Sequence, residues 1–187
     1  MKAIPNLLVA GWARAAALIG SRRFWGNQSG ATAVDFALVL APFLAVLMAI
    51  IESALTLFAG QVLQTATTNA SRLIMTGQAQ NGNWSATQFQ NSVCANLTVM
   101  FNCSGNLNID VRSFSSFTSV SLPSVTNSNG TLSNNYVYQP GNPGDVVVVR
   151  LIYQWPIIGT GLGIGIANSA GNTYTLIGTA AFRNEPY

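Results

Sequence analysis

The longest hydrophobic stretch of the chain is the uncharged run Phe36–Ile51, with Asp35 directly before it and Glu52 directly after it. A helix over Ala31–Phe58 would be about 42 Å long at about 1.5 Å per residue. This exceeds the hydrocarbon core of a bilayer, which is about 30 Å thick, so the pattern predicts a transmembrane helix over residues 31–58. Glu52 marks either the outer boundary of the membrane or a contact with another helix.

The helical pattern continues beyond the span to about Met75. Apolar residues recur at spacings of three and four and predict one apolar face of the helix: Leu55, Phe58, Val62, Ala66, Ala70 and Leu73. The helix is expected to end at Thr76-Gly77, since glycine adopts the left-handed conformation found after many helices. The helix thus continues beyond the membrane as a stalk. Its apolar face must pack against either the chain's own domain or neighbouring subunits.

Pro42 lies inside the membrane half of this helix. Its ring nitrogen carries no hydrogen, so the carbonyl of Leu38 loses its helical hydrogen-bond partner. We therefore expect a bend or a local melt of the helix near residues 38–42.

A second helix and three strands follow. Ser85 and Gln88 have the spacing of a capping box, which predicts a helix from there to about Met100. Three further segments have the composition or alternation of strands: Leu107–Arg112, Val146–Trp155 as the central strand, and Tyr174–Arg183. The fold class is therefore α+β, with a small antiparallel sheet of three or four strands against which the stalk packs.

Two segments read as connections. Residues 113–135 are dominated by Ser, Thr and Asn, which is typical of a long surface loop. Residues 156–172 are apolar and Gly-rich but lack the spacing of a dinucleotide-binding motif. They form either a flexible connection or a loop that touches the membrane or a partner.

Charge is scarce and unevenly placed. Only 7% of the residues are charged and 49% are hydrophobic. All four bases before the span lie in residues 1–30 without an accompanying acid: Lys2, Arg14, Arg22 and Arg23. The positive-inside rule then predicts a basic cytoplasmic leader over residues 1–30 and an extracytoplasmic domain over residues 59–187. The leader is either a short interfacial helix or an unstructured tail, and its position beside a membrane span argues against a nucleic-acid site.

The composition also limits the chemistry. The chain has no histidine, five acids and two cysteines. This removes His-based triads, His metal sites and most acid–base designs, so we expect no enzyme, no cofactor, no metal and no small-molecule substrate. An exported enzyme whose signal peptide ends near Ala54 or Ala59 is disfavoured for the same reason. Cys94 and Cys103 are an even pair in the extracytoplasmic part, where a disulfide forms and persists; the alternative is two free cysteines.

The most specific local motif is Gly30-Ala31-Thr32-Ala33-Val34-Asp35-Phe36, a glycine followed by small or apolar residues, an acid and an aromatic residue. It resembles the processing site of type IV pilin-like precursors, in the form used by the Tad (Flp) pilus. The resemblance implies that a membrane prepilin peptidase cuts after Gly30, which makes Ala31 the new N-terminus and places Asp35 at the fifth mature position.

The tract that begins at Gly30 looks like the TadE-like family, as do the stretches 70–72, 76–78 and 181–186. Members of that family resemble minor pilins or pseudopilins. The resemblance implies a pilin-like fold in the bacterial inner membrane. The implied partners are the prepilin peptidase, other Tad pilus subunits and inner-membrane platform proteins. The family usually has Glu where this chain has Asp35.

Two roles for Asp35 and two functions stay open. A carboxylate near hydrocarbon is costly unless it is paired, so Asp35 either pairs with the new amine of a neighbouring subunit or sits among the headgroups. The first function is a processed minor pilin or pseudopilin of Tad pilus assembly. The alternative is an unprocessed, membrane-anchored periplasmic binding protein.

Overall fold

The structure is a computed structural model that describes residues 30–97, 100–158 and 166–187. The predicted leader, apart from Gly30, lies outside the described residues, as do residues 159–165 of the Gly-rich connection. The chain divides into two compact units, of which the first ends at Leu47 and the second spans Met48–Tyr187.

The first helix, α1, runs from Ala31 to Met75, which confirms the predicted long helix. Its helical assignment is continuous through Pro42, and the bend near that residue stays a prediction. Gly77 follows the helix with φ of 75°, as expected for a residue that ends a helix in the left-handed conformation.

The remaining elements all lie in the second unit. They are α2 (Gln78–Asn81), α3 (Ala86–Asn96), α4 (Cys103–Asn106), β1 (Leu107–Phe114), a short 3₁₀ helix (Phe117–Ser119), β2 (Val146–Pro156) and β3 (Thr173–Arg183). The predicted strands are confirmed to within two residues at each end. Ser85 caps α3 through the predicted capping box with Gln88. The helix ends four residues before the predicted Met100, because Leu97 is extended and its N–H turns back to the carbonyl of Cys94.

The three strands form one antiparallel sheet in the order β1-β2-β3. Residues 146–153 of β2 are all buried, which confirms its prediction as the central strand. Tyr138 adds an isolated parallel bridge to Val111, so the segment beside it covers part of the β1 edge. The α+β prediction is therefore confirmed, with three strands in the sheet.

The stalk half of α1 supplies one wall of the hydrophobic core. Its buried residues are mostly small: Thr56, Ala59, Leu63, Ala66, Thr67, Ala70, Ser71 and Ile74. Gly178 of β3 lies against this face, where an added Cβ would overlap the side chain of Thr67. Small side chains on both elements let the helix and the sheet approach each other closely.

The chain's own domain covers only part of the predicted apolar face. Leu55 and Phe58 are 47% and 55% exposed, whereas their neighbours Thr56 and Ala59 are buried. Ala66 and Ala70 belong to both the predicted and the observed face. Hydrophobicity alone favours large side chains, but the close helix–sheet contact selects small ones, which rotates the buried face by about one residue, or roughly 100°.

Candidate functional site

The predicted processing site lies at the beginning of α1. Gly30 is exposed and directly precedes the first helical residue, Ala31. Asp35 is also exposed and lies four residues after Ala31, so the two residues share one face of the helix. The structure thus places the three residues together at one helix end, and their roles in processing and assembly stay predictions.

The helix beyond this site has an apolar surface that no other described residue covers. In the most hydrophobic stretch of the helix no residue is buried. Leu38, Val39 and Phe43 are each more than half exposed. Among the described residues, α1 is the one helix that is long and apolar enough to cross a membrane.

Glu52 is tied to the segment that follows β2. Its carboxylate Oε1 accepts a short hydrogen bond from the backbone N–H of Ile158. The side chain of Ile158 is 91% exposed. An exposed apolar residue is thereby held beside the acid that ends the apolar run.

Cys94 and Cys103 form the predicted disulfide, with their Cα atoms 6.1 Å apart. Cys94 lies in α3 and Cys103 begins α4, which leads directly into β1. The bond therefore fastens the end of a helix to the beginning of the sheet.

A buried charged cluster was not predicted from the sequence. Asp110 in β1 is opposite Arg150 in β2, and its side chain is 1% exposed. One carboxylate oxygen accepts a hydrogen bond from Arg150 Nε at 3.0 Å. The other accepts from Arg112 Nε and from the backbone N–H of Val137, both at 3.0 Å. Asp110 thus has hydrogen-bond partners on both oxygens.

The cluster also holds the long connection between β1 and β2. Arg150 Nη1 donates to the carbonyl of Pro123 at 2.9 Å, and Arg112 Nη2 donates to the carbonyl of Asn135. Asp110 alternates along β1 with the apolar residues Ile109 and Val111, and this connection covers the face of the sheet on which Asp110 lies. The cluster therefore fastens the connection between β1 and β2 to the sheet.

Burial and hydrogen bonding have opposite effects on the pKa of Asp110. Burial on its own raises the pKa. The hydrogen bonds from Arg112, Arg150 and the Val137 N–H outweigh it and hold the pKa below its ordinary value. Asp110 is therefore ionised in the folded protein at neutral pH.

Among the described residues, no group of three His, Cys, Asp or Glu side chains is placed to hold a metal ion.

A family model described as TadE-like protein matches residues 30–72. The match confirms the resemblance of this tract, from the predicted processing glycine into the stalk half of α1. The stretches 76–78 and 181–186 lie outside it. No curated protein and no solved structure matches the chain significantly. The family match and the span-like helix together fit a membrane component associated with the Tad pilus.

Proposed function

We propose that this protein is a minor-pilin-like or pseudopilin-like component of Tad pilus assembly, anchored by residues 31–58 and processed by a prepilin peptidase after Gly30. The observation that carries the proposal is the family match, which begins at Gly30 and continues along the exposed apolar part of α1. Exposing so large an apolar surface to water costs free energy. Contact with lipid or with neighbouring helices removes that cost.

The stalk supports a role among other subunits. Its inward face is built from small residues, so the large side chains of Leu55, Leu57 and Phe58 stay on the outside. Leu57 is 72% exposed and lies beyond Glu52, the residue that ends the apolar run. In this proposal these side chains contact lipid near the membrane surface and the helix of a neighbouring subunit after assembly.

The proposed topology agrees with two separate features. The basic leader remains in the cytoplasm by the positive-inside rule. The Cys94–Cys103 disulfide belongs to the opposite side, where oxidising conditions preserve it. The exposed Ile158, held by Glu52, is then at the outer membrane surface.

Processing creates the charge that assembly uses. Hydrolysis of the Gly30–Ala31 peptide bond consumes one water and leaves a carboxylate on Gly30 and an ammonium on Ala31. Near hydrocarbon, the Asp35 carboxylate is costly unless it finds a cation, and the new ammonium of a neighbouring subunit is a suitable one. The shared helix face of Ala31 and Asp35 presents both groups in the same direction.

The first test identifies the mature N-terminus in cells that contain an active prepilin peptidase. Mass spectrometry of the membrane protein should find Ala31 as the first residue. Gly30→Val should reduce the processed fraction at least tenfold, because a branched side chain replaces hydrogen next to the scissile bond. Gly60→Ala is the matched control, since Gly60 lies within α1 and should leave processing unchanged. An intact chain that begins at Met1, in cells that process other prepilins, would contradict the proposal.

The second test concerns Asp35. Asp35→Ala should lower the amount of this protein in sheared pili by about tenfold, because the ammonium of the neighbouring subunit loses its counter-ion. Asp35→Glu retains the carboxylate and should assemble nearly normally. Normal incorporation of the alanine variant would assign Asp35 to the headgroup region. The alternative function, an unprocessed binding protein, predicts a different result. The protein would then be absent from sheared pili, and its deletion would cause no assembly defect.

A further inference from the structure

A cavity of about 470 Å³ opens between α2, the turn at residues 140–143 and the segment 184–187. It lies just beyond the end of α1 at Met75, about 40 Å along the helix axis from Met48 at about 1.5 Å per residue. Its volume is within the range of about 300–1,000 Å³ that is usual for sites that bind small organic molecules.

The walls of the cavity are fastened to one another. Gln80 Nε2 and Asn184 Nδ2 each donate to the carbonyl of Pro140 at 2.9 Å. The hydroxyl of Tyr187 donates to the carbonyl of Gly141 at 3.3 Å. These bonds join the turn to α2 and to the segment 184–187, so the cavity is preformed. Ligand binding therefore loses little conformational entropy of the protein.

The lining combines aromatic rings with carboxamides. The polar and aromatic lining residues are Trp84, Tyr138, Tyr187, Gln80, Asn83 and Asn142. No Asp, Glu, Lys or Arg is among the described residues that line the cavity. The carboxylate of Asp145 lies against the lining turn, where it accepts a hydrogen bond from the Asn142 N–H. Burial raises the pKa of Tyr138 to about 12, so its hydroxyl is neutral at physiological pH. The cavity therefore favours an uncharged ligand over an anion.

We propose that this cavity binds a neutral saccharide, either a monosaccharide or a disaccharide. A sugar ring has an apolar C–H face, which packs on the electron-rich face of a Trp or Tyr ring. Its hydroxyl groups both donate and accept hydrogen bonds, and a carboxamide matches them because it offers two N–H donors and a carbonyl acceptor. The lining supplies both kinds of partner in one place.

Two buried polar atoms of the lining residues favour a ligand that forms hydrogen bonds. Gln80 Oε1 and the Tyr138 hydroxyl are buried and have no hydrogen-bond partner among the described residues. Buried polar groups are normally paired, and an unpaired one costs about 1–3 kcal/mol. A sugar hydroxyl that reaches either atom would provide the missing partner.

The hydrogen bonds of the turn favour a saccharide over a peptide that binds by adding a strand. Such a peptide is recognised through main-chain hydrogen bonds. The carbonyls of Pro140, Gly141 and Asn142 already accept hydrogen bonds from side chains of Gln80, Asn184 and Tyr187. The turn therefore has few main-chain acceptors left, and recognition falls to rings and carboxamides.

This inference does not rest on the proposed function. The saccharide is proposed as a bound ligand, so the expectation of no small-molecule substrate is unaffected.

The test uses the full chain in detergent micelles. Glucose, galactose, mannose, N-acetylglucosamine and their disaccharides are screened by saturation-transfer NMR and measured by calorimetry, with sialic acid as the charged comparison. At least one neutral sugar should bind with a Kd of about 1 mM or tighter. Trp84→Ala should weaken that binding at least tenfold.

Asn83→Gly is the second variant and should weaken binding about three- to tenfold. Asn83 has φ of 50°, which glycine adopts freely, so this variant removes the carboxamide without disturbing the backbone. Phe117→Ala removes an exposed ring outside the cavity and should change nothing. The inference is wrong if no neutral sugar binds, if both cavity variants bind as well as the unmodified chain, or if sialic acid binds equally well.

Discussion

Asp110→Asn should lower the free energy of unfolding by about 3–5 kcal/mol, because it leaves the buried guanidinium of Arg150 without its counter-ion. The change preserves the size and shape of the side chain, so the loss reports the missing charge. Arg150 is 8% exposed and Asp110 is 1% exposed, so water cannot replace the lost partner. The long connection held through Arg150 and Arg112 should loosen in the same variant.

Urea unfolding of the full chain in detergent micelles, followed by near-ultraviolet circular dichroism, measures this effect. Asp145→Asn is the matched control. Asp145 accepts a hydrogen bond from the Asn142 N–H, which an asparagine oxygen also accepts, so this variant should lose less than about 1 kcal/mol. The double variant Asp110→Asn/Arg150→Met should recover part of the loss, since it leaves no unpaired buried charge. Equal losses for Asp110→Asn and Asp145→Asn would contradict the prediction.

The same cluster makes stability depend on acid pH. The pKa of Asp110 is lower in the folded protein than its ordinary value of 3.8. The unfolded chain therefore binds the proton more readily, so the carboxylate stabilises the fold above the ordinary pKa. This contribution is lost as the pH falls through the folded pKa. Below about pH 4 the unmodified chain should lose stability more steeply than Asp110→Asn.

Two glycines at the contact between α1 and β3 should respond to alanine in opposite directions. Gly178→Ala should lower the free energy of unfolding by about 1–3 kcal/mol, because its Cβ overlaps the Thr67 side chain and crowds the backbone carbonyl of Leu63. Gly60→Ala should raise it by about 0.5–1 kcal/mol, since helical glycine is entropically costly. Its Cβ would meet only Leu176 Cδ2, at an ordinary 3.7 Å.

Thermal unfolding of both variants in the same micelles compares the two signs directly. Adding Thr67→Ala to Gly178→Ala should recover part of the loss, because it removes the nearest overlapping atom, Thr67 Oγ1, while the Leu63 carbonyl and the Cβ of residue 67 remain. If Gly178→Ala is as stable as the unmodified chain, the helix and the sheet are not in the close contact described above.

The candidate sites differ in how far the sequence revealed them. Gly30, Ala31 and Asp35 were found because they lie within a few residues of one another, next to a long apolar run. The saccharide cavity brings together residues 79–84, 138–143 and 187, which no local pattern connects. Its aromatic and amide residues carry no signal individually, since each is common on protein surfaces.

The sequence by itself determined the elements: α1 and its end before Gly77, the capped α3, the three strands and the cysteine pair. These depend on hydrogen bonds and periodicities between residues close along the chain. Only the tertiary structure decided which face of α1 is buried, that Asp110 lies beneath the connection from β1 to β2, and that a cavity forms beyond α1. The buried face of α1 depends on small residues such as Gly178 and Thr67, which permit a close approach that hydrophobicity does not encode. The other two depend on hydrogen bonds between segments that are distant along the chain.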